Sequence, residues 1–171
     1  MRKLFALTAC ALPLFLWSCG GSQEKSQQTD TTVTTEAGSA DNGSSASESS
    51  NTVVITSNDQ MRFDLDEIKV KAGEPVTLTL KNVGVLSKEA MGHNWVLLKT
   101  GADVAAFATE AMSSKQTDFI PAGSNAVVAH TKLLGPGESD TITFTVEKGE
   151  YEFICSFPGH YGIMRGKLIA Q

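Results

Sequence analysis

From Val53 to the C terminus the chain is cut into short segments in which apolar and polar residues alternate, and that pattern leaves few choices of fold. In Pro75–Asn82, Val76, Leu78 and Leu80 fall on one face and Thr77, Thr79 and Lys81 on the other. This is the two-residue period of a strand with one side buried. Comparable segments are Val53–Ser57, Arg62–Lys71, His93–Lys99, Ala126–Leu134, Thr141–Val146, Glu150–Cys155 and Gly166–Ala170. Turn formers separate them, as in Ala72-Gly73-Glu74-Pro75 and Gly135-Pro136-Gly137. About eight short strands with little helix predict an all-β domain, two sheets packed as a sandwich with Greek-key connections. One segment departs from the pattern. In Asp103–Ser113, Val104, Phe107, Ala108, Ala111 and Met112 recur at steps of three and four. That spacing predicts one short external helix, capped by Asp103, with Met112 in its core-facing stripe.

The stretch before Val53 is of another kind. Residues 20–52 are dominated by Ser, Thr, Gly, Gln, Asn and Asp, with Val33 the only large aliphatic and no aromatic. Such a segment buries too little apolar surface to offset the entropy of ordering it. It reads as a tether with an r.m.s. reach of roughly 30 Å. Ahead of it, Arg2 and Lys3 precede the mostly apolar run Leu4–Trp17, which is too short for a stable bilayer span of about 20 residues. The run ends in Leu16-Trp17-Ser18-Cys19-Gly20, which resembles the lipobox of bacterial lipoprotein signals. The resemblance implies a signal peptide over 1–18, acylation of Cys19, and a domain held to the bacterial cell envelope, in the periplasm or on the cell surface. Plain secretion with cleavage nearby is the alternative, and it too exports the domain.

Charge excludes some functions. The formal net charge is −5, and residues 53–171 carry 11 basic and 14 acidic side chains, so no basic surface points to nucleic acid. Of three cysteines, Cys10 would leave with the signal and Cys19 would be acylated, which leaves Cys155 alone. A lone thiol in an oxidising compartment is exposed to oxidation unless something holds it.

The neighbours of Cys155 suggest what holds it. Cys155 ends a predicted strand, Pro158 and Gly159 turn the chain, and His160 and Met164 follow, in the spacing Cys-x4-His-x3-Met. A thiolate and two imidazoles with a long axial thioether form the ligand set of blue-copper electron-transfer sites. The second imidazole must be His93 or His130. His93 opens a predicted strand behind Gly92, which would let the backbone approach a metal closely, whereas His130 sits mid-strand at a position alternating toward solvent. Asn94 could hydrogen-bond the Cys155 sulfur or bridge the two ligand loops.

Residues 53–171 resemble the azurins, the bacterial members of the cupredoxin family. The likeness lies in Asn58–Phe63, Met91–Trp95, Ala129–Leu133 and Phe153–His160 with Met164. It implies His93, Cys155 and His160 as equatorial ligands of one copper ion cycling between Cu(I) and Cu(II). Met164 would be axial, with the Gly92 carbonyl opposite. It further implies that Asn94 and the Phe157 amide hydrogen-bond the thiolate and that Trp95 is a buried aromatic. Two departures stand out. The family's disulfide between the first strand and the end of the second has no cysteines here, a loss of about 2–4 kcal/mol. Asn82 stands where azurins often carry a buried second histidine.

The function expected is outer-sphere transfer of one electron, without bond making. His160 would be the exit, ringed by an apolar docking patch of Met61, Leu86, Met91, Phe157, Pro158 and Gly159, with Tyr161 and Gly162 in the rim. Partners of the kind implied are c-type cytochromes or copper reductases and oxidases, met transiently. Two other classes would require different features. A copper carrier or store would need an exposed, exchangeable site rich in Met and His. A copper oxidase or reductase would need an open coordination position or further copper centres, for which no spare histidine cluster exists.

Overall fold

The computed structural model describes residues 50–171, so the expected signal peptide, Cys19 and most of the tether lie outside the described residues. Among the described residues, nine strands form two sheets. They are β1 Thr52–Asn58, β2 Arg62–Phe63, β3 Glu67–Val70, β4 Pro75–Asn82, β5 Val96–Leu98, β6 Val127–His130, β7 Ser139–Thr145, β8 Gly149–Ile154 and β9 Arg165–Ala170. One sheet has the order β2-β1-β4-β7 and the other β3-β9-β8-β5-β6. Sequence neighbours therefore often sit in different sheets, as a Greek-key sandwich requires. Strand β4 lies in the middle of its sheet, parallel to β1 with Ile55 opposite Leu80, and antiparallel to β7 with Leu78 opposite Ile142.

The alternation read in β4 is the one observed: Val76, Leu78 and Leu80 are buried, and they meet Ile55, Val70, Leu97, Phe153 and Leu168 between the sheets. Trp95 lies at the centre, fully buried, with ring centroids 5.6 Å from Phe144 and 5.5 Å from Phe153. Strand β5 is buried on both faces. Trp95 and Leu97 point into the sandwich, while Val96 and Leu98 point outward into a second cluster with Phe107, Ala111, Phe119 and Leu133. The helix α2, Val104–Ala111, covers that outer face, and the Asp103 carboxylate accepts from the Ala106 N–H at 3.0 Å as its cap.

Several details differ from the expectations. The segment Arg62–Lys71 is two strands, not one. Between β2 and β3 the chain crosses from one sheet to the other, and Asp64 pins the crossing by accepting from the Thr56 N–H at 2.6 Å. Ala126–Leu134 is regular only to His130, because Thr131 Oγ1 takes the Trp95 N–H at 3.0 Å and breaks the ladder. His130 is thus at a strand end rather than mid-strand, and it is exposed as expected. His93–Lys99 pairs regularly only over Val96–Leu98, and His93 forms an isolated bridge with Leu134. Strand β7 begins at Ser139, two residues before Thr141. Met112 is not core: it is 52% exposed. Phe107, Ala108 and Ala111 already fill the contact, and the residue about 100° beyond Ala111 turns off that face. A one-turn helix α1, Lys88–Met91, and a 3-10 turn, Lys115–Thr117, had no periodic signal.

Candidate metal centre

Strand β8 ends at Ile154 and delivers Cys155 to one end of the sandwich. The loop that follows closes on itself. The Cys155 N–H donates to the Met164 carbonyl at 2.9 Å, and the Ile163 and Met164 N–H groups donate to the His160 carbonyl at 3.1 and 2.9 Å. Gly159, at φ +84°, makes the turn that aims His160 back at Cys155. His93 comes from the other side, locked to Leu134 by two backbone hydrogen bonds of 3.1 and 2.7 Å. The result is three buried donors, His93, Cys155 and His160, whose ligand atoms all lie within 4.8 Å of one another. Cys155 Sγ is 3.5 Å from His160 Nδ1 and 3.9 Å from His93 Nδ1.

These separations fit a metal. Bonds of about 2.0–2.3 Å to nitrogen and sulfur at a trigonal angle put the sulfur about 3.8 Å from each nitrogen. The electrostatics point the same way. Burial pushes the Cys155 thiol up to about 12, against the pull of the Asn94 and Phe157 backbone amides aimed at the sulfur. Burial, then the neighbouring His93, push His160 down to about 4. Burial also lowers His93, opposed by the Asn58 carbonyl and by Asp59, although His93 Nε2 has no hydrogen bond of ordinary geometry. Burial outweighs what the pocket offers a lone thiolate or a lone imidazolium, and a cation bound to all three would favour the ionised thiol and neutral rings. A soft thiolate with two imidazoles suits copper.

A second layer ties the ligand loops together. Asn94, next to His93, accepts from the Ser156 N–H at 2.8 Å and donates to Ser156 Oγ at 2.8 Å. Its side chain bridges the loops, and its backbone N–H, not the side chain, faces the sulfur. Gly92 is needed for packing, since a Cβ there would sit 2.6 Å from the Lys88 carbonyl and 3.1 Å from Leu133.

Residues 49–171 match the family model for copper binding proteins of the plastocyanin/azurin family. The chain belongs to the plastocyanin/azurin family. Among its relatives, azurin of Achromobacter denitrificans is 48% identical over 120 residues, spanning 67% of this chain and 80% of that protein. Among solved structures, dithionite-reduced auracyanin from Roseiflexus castenholzii superposes with a TM-score of 0.65 at 39% identity, covering 72% of this chain and 98% of that one. Auracyanin A of Chloroflexus aurantiacus, a blue copper protein, gives 0.65 at 35% identity over 70% and 98% of the two chains.

This member of the plastocyanin/azurin family is accordingly a one-electron carrier that uses copper, and not an enzyme, and its buried His93, Cys155 and His160 cluster is the candidate copper site. Met164 is fully buried and hydrogen-bonded through its backbone to Cys155 and His160. Around the site, Asp59 holds the loop bearing Leu86 by accepting from the Val85 and Leu86 N–H groups at 2.9 and 3.3 Å. Met61 follows on the same turn, its N–H bonded to the Asn58 carbonyl. Leu86 and Gly159 are exposed, whereas Met61, Met91, Phe157, Pro158 and Tyr161 are half-buried. Tyr161 packs toward the helix side, against the second cluster. Sequence reasoning missed four exposed apolar residues, Val83, Val85, Ile163 and Met112. It also missed a groove of about 540 Å³ walled by Met112, Phe119, Leu133, Phe157 and Pro158. Val83, Val85 and Ile163 carry no periodic or motif signal, Met112 carries a helical one that points it to the core, and the groove is assembled from residues far apart in the sequence. Ser156, also missed, was legible only as the residue between Cys155 and Phe157.

Proposed function

We propose that this protein is an envelope-tethered electron carrier: an exported domain over residues 53–171, joined by the 19–52 tether to a lipid on Cys19. His93, Cys155 and His160 would hold the copper ion as its principal ligands, with the Met164 thioether and the Gly92 carbonyl as the further, weaker donors. The observation that carries the reading is the buried convergence of one sulfur and two Nδ1 atoms at 3.5 and 3.9 Å. When bound there, copper would supply the one-electron Cu(I)/Cu(II) couple. The chain holds the thiolate with the Asn94 and Phe157 amides, keeps both imidazoles neutral by burial, and excludes water from all three donors. Their burial also speaks against an exchangeable copper store. His160, at the loop apex, is the exit, and Met61, Leu86, Met91, Pro158, Gly159 and Tyr161 form the docking rim. The partners are redox proteins of the bacterial envelope, such as c-type cytochromes or copper reductases and oxidases, met briefly and without nucleic acid. Voltammetry of the copper-loaded chain tests the reading. A reversible one-electron wave, absent in Cys155→Ser, is expected, and an irreversible or multi-electron response would count against it.

A further inference from the structure

Among the described residues, three that are not glycine have positive φ, and two of them are consecutive: Asp118 at +56° and Phe119 at +61°. Asp tolerates the left-handed region, but a bulky aromatic there is an outlier that its surroundings must impose. What the turn delivers is specific. The Asp118 carbonyl accepts from Asn94 Nδ2 at 2.8 Å, and the Phe119 carbonyl accepts from Ser156 Oγ at 2.9 Å. Two successive residues of helical twist aim their carbonyls the same way, whereas an extended pair would aim them apart. The Phe119 ring meets Phe157 edge-on at 5.2 Å, and Phe157 lies 4.7 Å from His160.

One strained turn therefore touches the residue after His93, the residue after Cys155, and the aromatic neighbour of His160. The network is closed. Both Asn94 Nδ2 bonds, the Asn94 Oδ1 acceptor and both roles of the Ser156 hydroxyl are used. A fully satisfied buried network of this kind fixes one geometry, because any shift orphans a buried polar atom. We infer that Asp118 and Phe119 are positioning residues, a clamp that holds the two ligand loops in register before metal binds and keeps them there in both oxidation states. The inference rests on the copper reading for its redox consequence, but the clamp itself is a property of the metal-free chain.

The test uses the full chain with Asp118→Val, whose β-branched side chain resists positive φ, and Asp118→Asn, which tolerates it, as the rescue. Two readouts are taken: electron self-exchange between Cu(I) and Cu(II) forms by NMR, and hydrogen exchange of the Asn94 and Ser156 amides without metal. In Asp118→Val self-exchange should slow by roughly three- to tenfold, and metal-free amide exchange should quicken by a similar factor, with both restored in Asp118→Asn. Asp118→Val indistinguishable from the unaltered chain in both readouts overturns the clamp. If Asp118→Val does not fold, Ser156→Ala, which removes the hydroxyl without changing backbone preference, is judged by the same pair of readouts. Its slowing supports the clamp, and no change overturns it. A chain that forms no blue copper site refutes the proposed function instead, and metal-free exchange then decides the clamp alone.

Discussion

His160 and Met164 are joined by a backbone hydrogen bond of 2.9 Å, and the role of each can be tested by one substitution. The His160 imidazole takes a proton at about 6.5 when unfolded and only near 4 in the folded, metal-free domain. The unfolded chain binds more protons between those values, so metal-free stability is full above about pH 6.5 and falls as the pH drops toward 4, by at most about 3 kcal/mol. Urea unfolding at pH 7 and pH 4.5 should show that loss, and His160→Gln should reduce it. An equal loss in both would place the effect elsewhere. Met164, if axial, is a weak ligand, and Met164→Leu nearly conserves volume, for under about 1.5 kcal/mol. The variant should stay blue, bind one copper, and show a higher reduction potential, because drier apolar surroundings favour the less charged Cu(I) site. Loss of copper on substitution would make Met164 a principal ligand and contradict the assignment. The three donors were legible in the sequence because thiol, imidazole and spacing are each tied to metal chemistry. Asp118 and Phe119 were not, because their contribution is a backbone conformation and two carbonyls, which residue type does not encode.

The helix α2 and strand β5 show what periodicity can and cannot tell. The spacing puts Phe107 in the core-facing stripe, and it is 3% exposed, packed with Val96 and Leu98 on the outer face of β5. Phe107→Ala should destabilise the domain by about 3–5 kcal/mol. Asp103→Ala, which removes the cap on Ala106, should cost about 1 kcal/mol. Both should leave the colour of the copper site unchanged, with urea unfolding and absorption spectra as the checks. A colour change in Asp103→Ala would link the helix to the site. Strand existence was legible from the alternation of residues such as Val76, Leu78 and Leu80. Strand ends were not, because a sheet-to-sheet crossing at Asp64 or a side chain such as Thr131 replacing a ladder partner leaves the apolar pattern intact. Met112 failed for a related reason, since periodicity continues past the point where the helix stops.

At the scale of the whole molecule, charge and surface apolarity decide how a redox partner is met. The net charge of residues 53–171 is small, and the end around His160 is apolar, so association with partners should depend weakly on ionic strength. Electron-transfer rates measured with a chosen c-type cytochrome between 20 and 200 mM salt, taken as an order-of-magnitude span around the screening range, should change only a few-fold. The full-length chain expressed in a bacterial host should partition with membranes, and Cys19→Ala should lose the lipid. Mass spectrometry finding unmodified Cys19 would refute the anchor and leave the copper site untouched. Electron transfer by this chain requires that Cys155, His93 and His160 bind one copper through the thiolate. Titrating Cu(II) into the metal-free protein and recording the visible spectrum tests it most directly. One equivalent should produce an intense blue absorption from sulfur-to-copper charge transfer, and Cys155→Ser should lack it. A pale spectrum of tetragonal Cu(II), or binding of several ions without blue colour, would contradict it.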